Sequence, residues 1–89
     1  MIDAMRAVQL AKEEAARILS TVECSLEEIE RETYKDQDVW SITLSFPRGL
    51  DSLPPFARLT TSPLQYKRFL ISAETGDLLA IKIREVAVQ

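Results

Sequence analysis

Apolar residues recur along the start of the chain at steps of three and four, with Ala4, Val8, Ala11, Ala15, Ile18 and Val22 falling on one stripe. That spacing predicts an amphipathic helix from residue 3 to about residue 22, opened by Asp3 as its N-cap. The segment is rich in alanine and holds no Gly or Pro, and Glu13 stands four residues before Arg17, a favourable pairing on a helix surface. Small alanines on the stripe would let the helix lie close to a sheet. Beyond it the period falls to two. Trp40, Ile42, Leu44 and Phe46 alternate with Val39, Ser41, Thr43 and Ser45, so one face of this strand is apolar and the other, after Val39, is small and hydroxylated. An antiparallel sheet covered on one side and solvated on the other gives this pattern. Residues 26–34, with Glu27, Glu28, Glu30 and Glu32, fit either a helix extension or a charged strand; the strand is preferred, which makes Lys35-Asp36-Gln37-Asp38 the turn into residue 39.

Two further alternating segments, Tyr66 to Ser72 and Leu79 to about Val86, flank Ala73-Glu74-Thr75-Gly76-Asp77 and read as a hairpin. Gly76 supplies the positive φ that closes a type I turn with a bulge, while Thr75 and Asp77 offer short side chains for local backbone hydrogen bonds. Phe69 and Ile71 are expected to face the core beside Leu79, Ile81 and Ile83. Between the second and third strands, residues 47–63 hold Pro47, Gly49, Pro54, Pro55 and Pro63, a density that neither a helix nor a central strand tolerates. The expected fold is therefore α+β: an N-terminal helix packed on a four-stranded antiparallel meander, in one domain spanning residues 1–89, with a long Pro-rich loop at 47–63. A chain of this length buries roughly 60 to 65% of its unfolded surface, enough for one modest core. Its 46% apolar and 28% charged residues place it among globular rather than disordered chains.

The order of helix, charged strand and Trp-containing strand, followed by Phe69-x-Ile71-x-Ala73-x-Thr75-Gly76-x-Leu78-Leu79, resembles the PepSY domain family. The likeness spans nearly the whole chain and is most specific from Ile71 to Leu79, with Ser72 standing where an acidic residue is usual in that family. It implies a helix against a curved antiparallel sheet and a non-enzymatic role in protease inhibition or partner binding. PepSY modules are typically exported or membrane-attached, and the Pro-rich insertion after Phe46 is longer than that pattern leads one to expect.

Composition narrows the chemistry. There is no histidine, so the commonest general base and metal ligand are missing, and the single Cys24 has no His to activate it. Only Gly49 and Gly76 are present, too few for a phosphate-binding glycine loop. Neither a catalytic residue, a cofactor nor a metal site is expected. The acidic residues Glu23, Glu27, Glu28, Glu30 and Glu32 lack the spacing of a calcium loop and read as a solvated edge that deters aggregation. Net charge is −3, distributed as −5 over residues 1–46 and +2 over residues 47–89. An acidic chain whose basic residues Lys67, Lys82, Arg84, Arg48, Arg58 and Arg68 are not interleaved with aromatics does not suit nucleic acid. No export signal and no membrane-spanning run is apparent, which points to the cytoplasm.

What is left is a binding role. Leu50, Leu53, Phe56 and Leu59 lie among prolines and arginines, where they either cap the open end of the sheet or meet a partner. On the second reading Arg48, Phe56, Arg58 and Leu59 form the contact, since aromatic and Arg side chains are favoured in interfaces. The function expected from sequence is a small non-enzymatic protein-binding or regulatory module that presents the 47–63 loop and a sheet edge to another protein. The alternative is a homo-oligomeric structural protein, in its simplest form a homodimer, pairing through edge strands.

Overall fold

In the structure, a computed structural model, residues 1–20, 23–47 and 64–84 are described. Helix α1 spans Ala4–Leu19. The Asp3 side chain accepts a hydrogen bond from the Arg6 N–H (2.8 Å), and the Asp3 carbonyl accepts from Ala7 N–H (3.0 Å), as an N-cap should. Ser20 ends the helix in the left-handed region (φ 54°), so α1 stops earlier than the apolar spacing predicted. Ala7, Val8, Ala11 and Ala15 are buried, whereas Ile18, the penultimate residue of the helix, is 43% exposed; Val22 lies outside the described residues. Arg17 pairs with Glu14, one turn away at i−3, rather than with Glu13.

Four strands follow: β1 (Ser25–Tyr34), β2 (Gln37–Pro47), β3 (Leu64–Ser72) and β4 (Leu78–Arg84). They pair antiparallel in the order β1-β2-β3-β4, which makes the fold an α+β meander carrying one helix. Residues 26–34 are therefore strand. The turn between β1 and β2 is shorter than expected, because Tyr34 already pairs with Gln37 and only Lys35 and Asp36 lie between. Both have positive φ (50° and 66°), the backbone of a two-residue type I′ turn, whose twist matches that of the flanking strands. Each outer strand carries one register shift, at Leu26/Glu28 in β1 and opposite Leu70/Ile71 in β4. The shift in β4 leaves Leu79 unpaired and sets Leu78 opposite Ile71, so Leu78 packs against the core where Leu79 was expected.

The core lies between α1 and the apolar face of the sheet: Ile42, Leu44, Phe46, Phe69 and Ile71 meet Ala7, Val8, Ala11 and Ala15. Phe46 and Phe69 are tilted rings with centroids 6.4 Å apart. Alanine at the helix contact is what allows the backbone to approach aromatic side chains this large. Burying one such side chain is worth about 1.5–3 kcal/mol. Trp40 is only half-buried at the margin of this layer. Its indole Nε1–H donates to the Ile2 carbonyl (3.1 Å), and the Arg31 guanidinium lies 4.8 Å from its ring centre. Ile83 corrects another expectation: it lies opposite Lys67 on the outermost strand and is 74% exposed, while Ile81 packs against the core.

The closing hairpin shows why its sequence is what it is. Gly76 has φ 82°, and its N–H donates to the Ser72 carbonyl (2.9 Å), while Ser72 N–H donates to the Asp77 carbonyl (2.8 Å). The Ser72 hydroxyl accepts from the N–H groups of Glu74 (3.3 Å) and Thr75 (3.2 Å), and the Thr75 hydroxyl accepts from Asp77 N–H (3.2 Å). A Cβ on Gly76 would stand 3.0 Å from Leu10 Cδ1, a tight contact with the end of a flexible side chain, so it is the positive φ that makes glycine the fitting residue at position 76. Ala73 is tied on both sides, donating to the Asp38 carbonyl (3.0 Å) and accepting from Ile2 N–H (2.8 Å). The N-terminus of α1 is thereby anchored to the turn end of the sheet.

Candidate functional site

Arg48, Phe56, Arg58 and Leu59, the contact residues expected from sequence, all lie outside the described residues. The surfaces that can be built from the described residues belong to the sheet.

The face turned away from α1 is organised by register. Glu28 of β1 pairs with Thr43 of β2, Thr43 with Arg68 of β3, and Arg68 with Lys82 of β4, so one rung across the whole sheet runs acid, hydroxyl, base, base. The next rung is Glu30, Ser41, Leu70 and Ala80, and the one beyond joins Glu32, Val39 and Ser72. An open groove of about 340 Å³ follows these rungs, with Ser41 and Thr43 as its floor, Glu28 and Glu30 on one wall, and Arg68 and Lys82 on the other. Side chains from the flanking strands reach over the floor. Arg68 Nη1 approaches Glu32 Oε1 at 3.7 Å across β2, Lys82 Nζ lies 5.2 Å from the centre of the Tyr34 ring, and Ser45 Oγ donates to Glu27 Oε2 at 2.7 Å.

This corrects the expectation of a solvated hydroxyl face. Ser41, Thr43 and Ser45 are only 2–3% exposed, and Val39 and Leu70 on the same face are buried too. From sequence, Glu28, Glu30 and Glu32 read as a solvated edge, and Arg68 and Lys82 as basic residues that do not suit nucleic acid. Each strand's alternation was visible, but which residues share a rung was not.

The β1 edge is the second surface. β1 pairs with β2 alone among the described residues, and its helix-side row contains Leu26 (40% exposed), Ile29 (37% exposed) and Arg31, opposite Leu44, Ile42 and Trp40 respectively. Met1 stands beside this row, its sulfur 4.0 Å from Arg31 Nη1, and Met5 is likewise exposed. The core there is covered but its margin is not, because the helix contributes alanine rather than long side chains along the buried stripe.

A smaller hollow of about 250 Å³ lies among Leu19, Phe46, Pro47, Gln65 and Lys67. Cys24 is half-buried and packs against the core. Among the described residues, no three His, Cys, Asp or Glu side chains converge as a metal site would require, and no helix is long and apolar enough to cross a membrane. No family model matches the chain, and neither a curated protein nor a solved structure shows significant similarity to it.

Proposed function

We propose that this chain is a small non-enzymatic binding module of the cytoplasm that receives an extended segment of another protein along its β1 edge. The observation that carries the reading is the edge itself: ten residues of strand with one side unpaired among the described residues, and Leu26 and Ile29 exposed at its margin. A strand added there would gain main-chain hydrogen bonds for affinity and would meet alternating side chains for specificity. On one side it would find Leu26, Ile29 and Met1; on the other Glu28, Glu30 and Glu32 favour basic residues at every second position of the incoming segment. In this proposal residues 47–63, with Arg48, Phe56, Arg58 and Leu59, add a second contact to the same partner.

The PepSY-like reading belongs to the same proposal, supported by the helix-then-meander order and by the Ser72 hydroxyl, which receives two backbone N–H groups at the position where that family usually has an acid. Homo-oligomers formed by pairing β1 with β1 are disfavoured, because two such strands would bring their glutamate rows together.

A direct test uses a synthetic peptide with alternating valine and lysine as the probe, with Trp40 fluorescence as the reporter, since Trp40 pairs with Arg31 of β1. Saturable binding to the wild type, lost in a Leu26→Ser, Ile29→Ser variant with an unchanged circular dichroism spectrum, is the expected result. Equal binding by the variant overturns the edge assignment.

A further inference from the structure

We infer that the face of the sheet away from α1 is a self-complementary surface on which a second copy of this chain docks face to face. Charge and symmetry on this face, independent of the β1 edge, favour a second copy. The rung Glu28, Thr43, Arg68, Lys82 runs from negative to positive across the sheet. A two-fold axis parallel to the strands, passing between β2 and β3, exchanges β1 with β4 and β2 with β3 while leaving each rung at its own height. Glu28 of one copy then lies over Lys82 of the second, and Lys82 over Glu28, so the contact is isologous and the ion pair is made twice. An axis running across the strands would instead oppose acid to acid. Any unrelated partner would need acidic and basic rows at the same separation and in the opposite order, and this chain already carries them. Under this axis the short Ser41 and Thr43 of β2 in one copy lie opposite Leu70 and Arg68 of β3 in the second, so the low row of each copy meets the taller row of the other.

Size sets the strength. Strands about 4.8 Å apart and roughly nine residues of about 3.3 Å make a face of roughly 500 Å² per copy, or about 1,000 Å² in the pair. That is at the low end of specific interfaces, so the dimer is weak and reversible. Its attraction comes largely from partly exposed charges and is reduced by salt.

Sedimentation of the full chain over a wide concentration range tests this. The wild type is expected to show a monomer–dimer equilibrium at low ionic strength that shifts to monomer as salt is added. Glu28→Lys and Lys82→Glu, each alone, place like charges opposite one another twice and should weaken association by about tenfold or more. An equimolar mixture of the two variants restores both attractive pairs, as does the doubly reversed chain, and both should regain wild-type association. Should Glu28→Lys lose its circular dichroism spectrum, Glu28→Gln takes its place, and it should weaken association and flatten its dependence on salt. A wild type that stays monomeric throughout overturns the inference. So does association indifferent to salt and to both reversals, as contact elsewhere would give, and so does a loss that neither mixing nor double reversal repairs.

Discussion

Strand β2 has two faces that are equally hidden from water and hidden by different means. Ile42, Leu44 and Phe46 are 0–3% exposed beneath the alanines of α1, while Ser41, Thr43 and Ser45 are 2–3% exposed on the opposite face, where glutamate, arginine and lysine side chains of the neighbouring strands extend over them. On the helix side, apolar surface leaves water permanently, worth about 25 cal/mol per Å² and nearly insensitive to salt. On the other side the cover is made of flexible stems with charged ends, whose ordering costs side-chain entropy and whose attractions are screened. Low exposure alone does not distinguish a stabilising core from a roof of mobile charges. The neighbours that produce it do.

Substitutions on the two faces should therefore differ in size and in salt response. The largest effect is expected from Phe69→Ala, which opens a cavity between α1 and the sheet and should cost about 3–5 kcal/mol in urea unfolding; a loss below about 1 kcal/mol would mean that the helix-side core is not the principal one. Gly76→Val should follow, at about 2 kcal/mol or more, because a β-branched residue resists positive φ and its Cβ would press on Leu10. An unchanged thermal midpoint for that variant would refute the close packing of α1 on the hairpin. Thr43→Val tests the opposite face and is expected to cost about 1 kcal/mol or less, since it keeps the side-chain shape and removes one hydroxyl. A loss as large as that of Phe69→Ala would erase the distinction between the faces. Smallest is Glu32→Gln, which removes a partly exposed ion pair with Arg68 and should cost about 0.5 kcal/mol or less, vanishing in high salt. A difference that persisted at high salt would indicate a buried interaction rather than a screened one.

Particular residues show what could be read before the fold was known. Asp3 as N-cap, the alternation of β2 and the glycine of the second hairpin are local matters: a cap needs an acceptor beside the first N–H groups, a strand repeats every second residue, and a positive φ favours glycine. The first hairpin was harder, since Lys35 and Asp36 adopt positive φ without being glycine, and only the pairing of Tyr34 with Gln37 shows the turn to be two residues long. The part Ser72 plays in supporting the second turn is not legible in the sequence, because its two hydrogen bonds depend on the loop conformation and not on its place in the alternation.

The residues of this chain by themselves determined a capped helix, three alternating strand segments and the apolar side of β2 and β3, because those follow from contacts a few residues long, whereas residues 26–34 suited strand or helix. Tertiary structure decided the rest. The bulges that put Leu78 in the core, leave Leu79 unpaired and shift the start of β1 depend on register between strands. So does the rung that sets Glu28 at one margin of the sheet and Lys82 at the other, residues separated by most of the chain. Alternation tells which face a side chain takes; only pairing tells which side chains share it, and a slip of two residues would have preserved every apolar position while dissolving that charged rung.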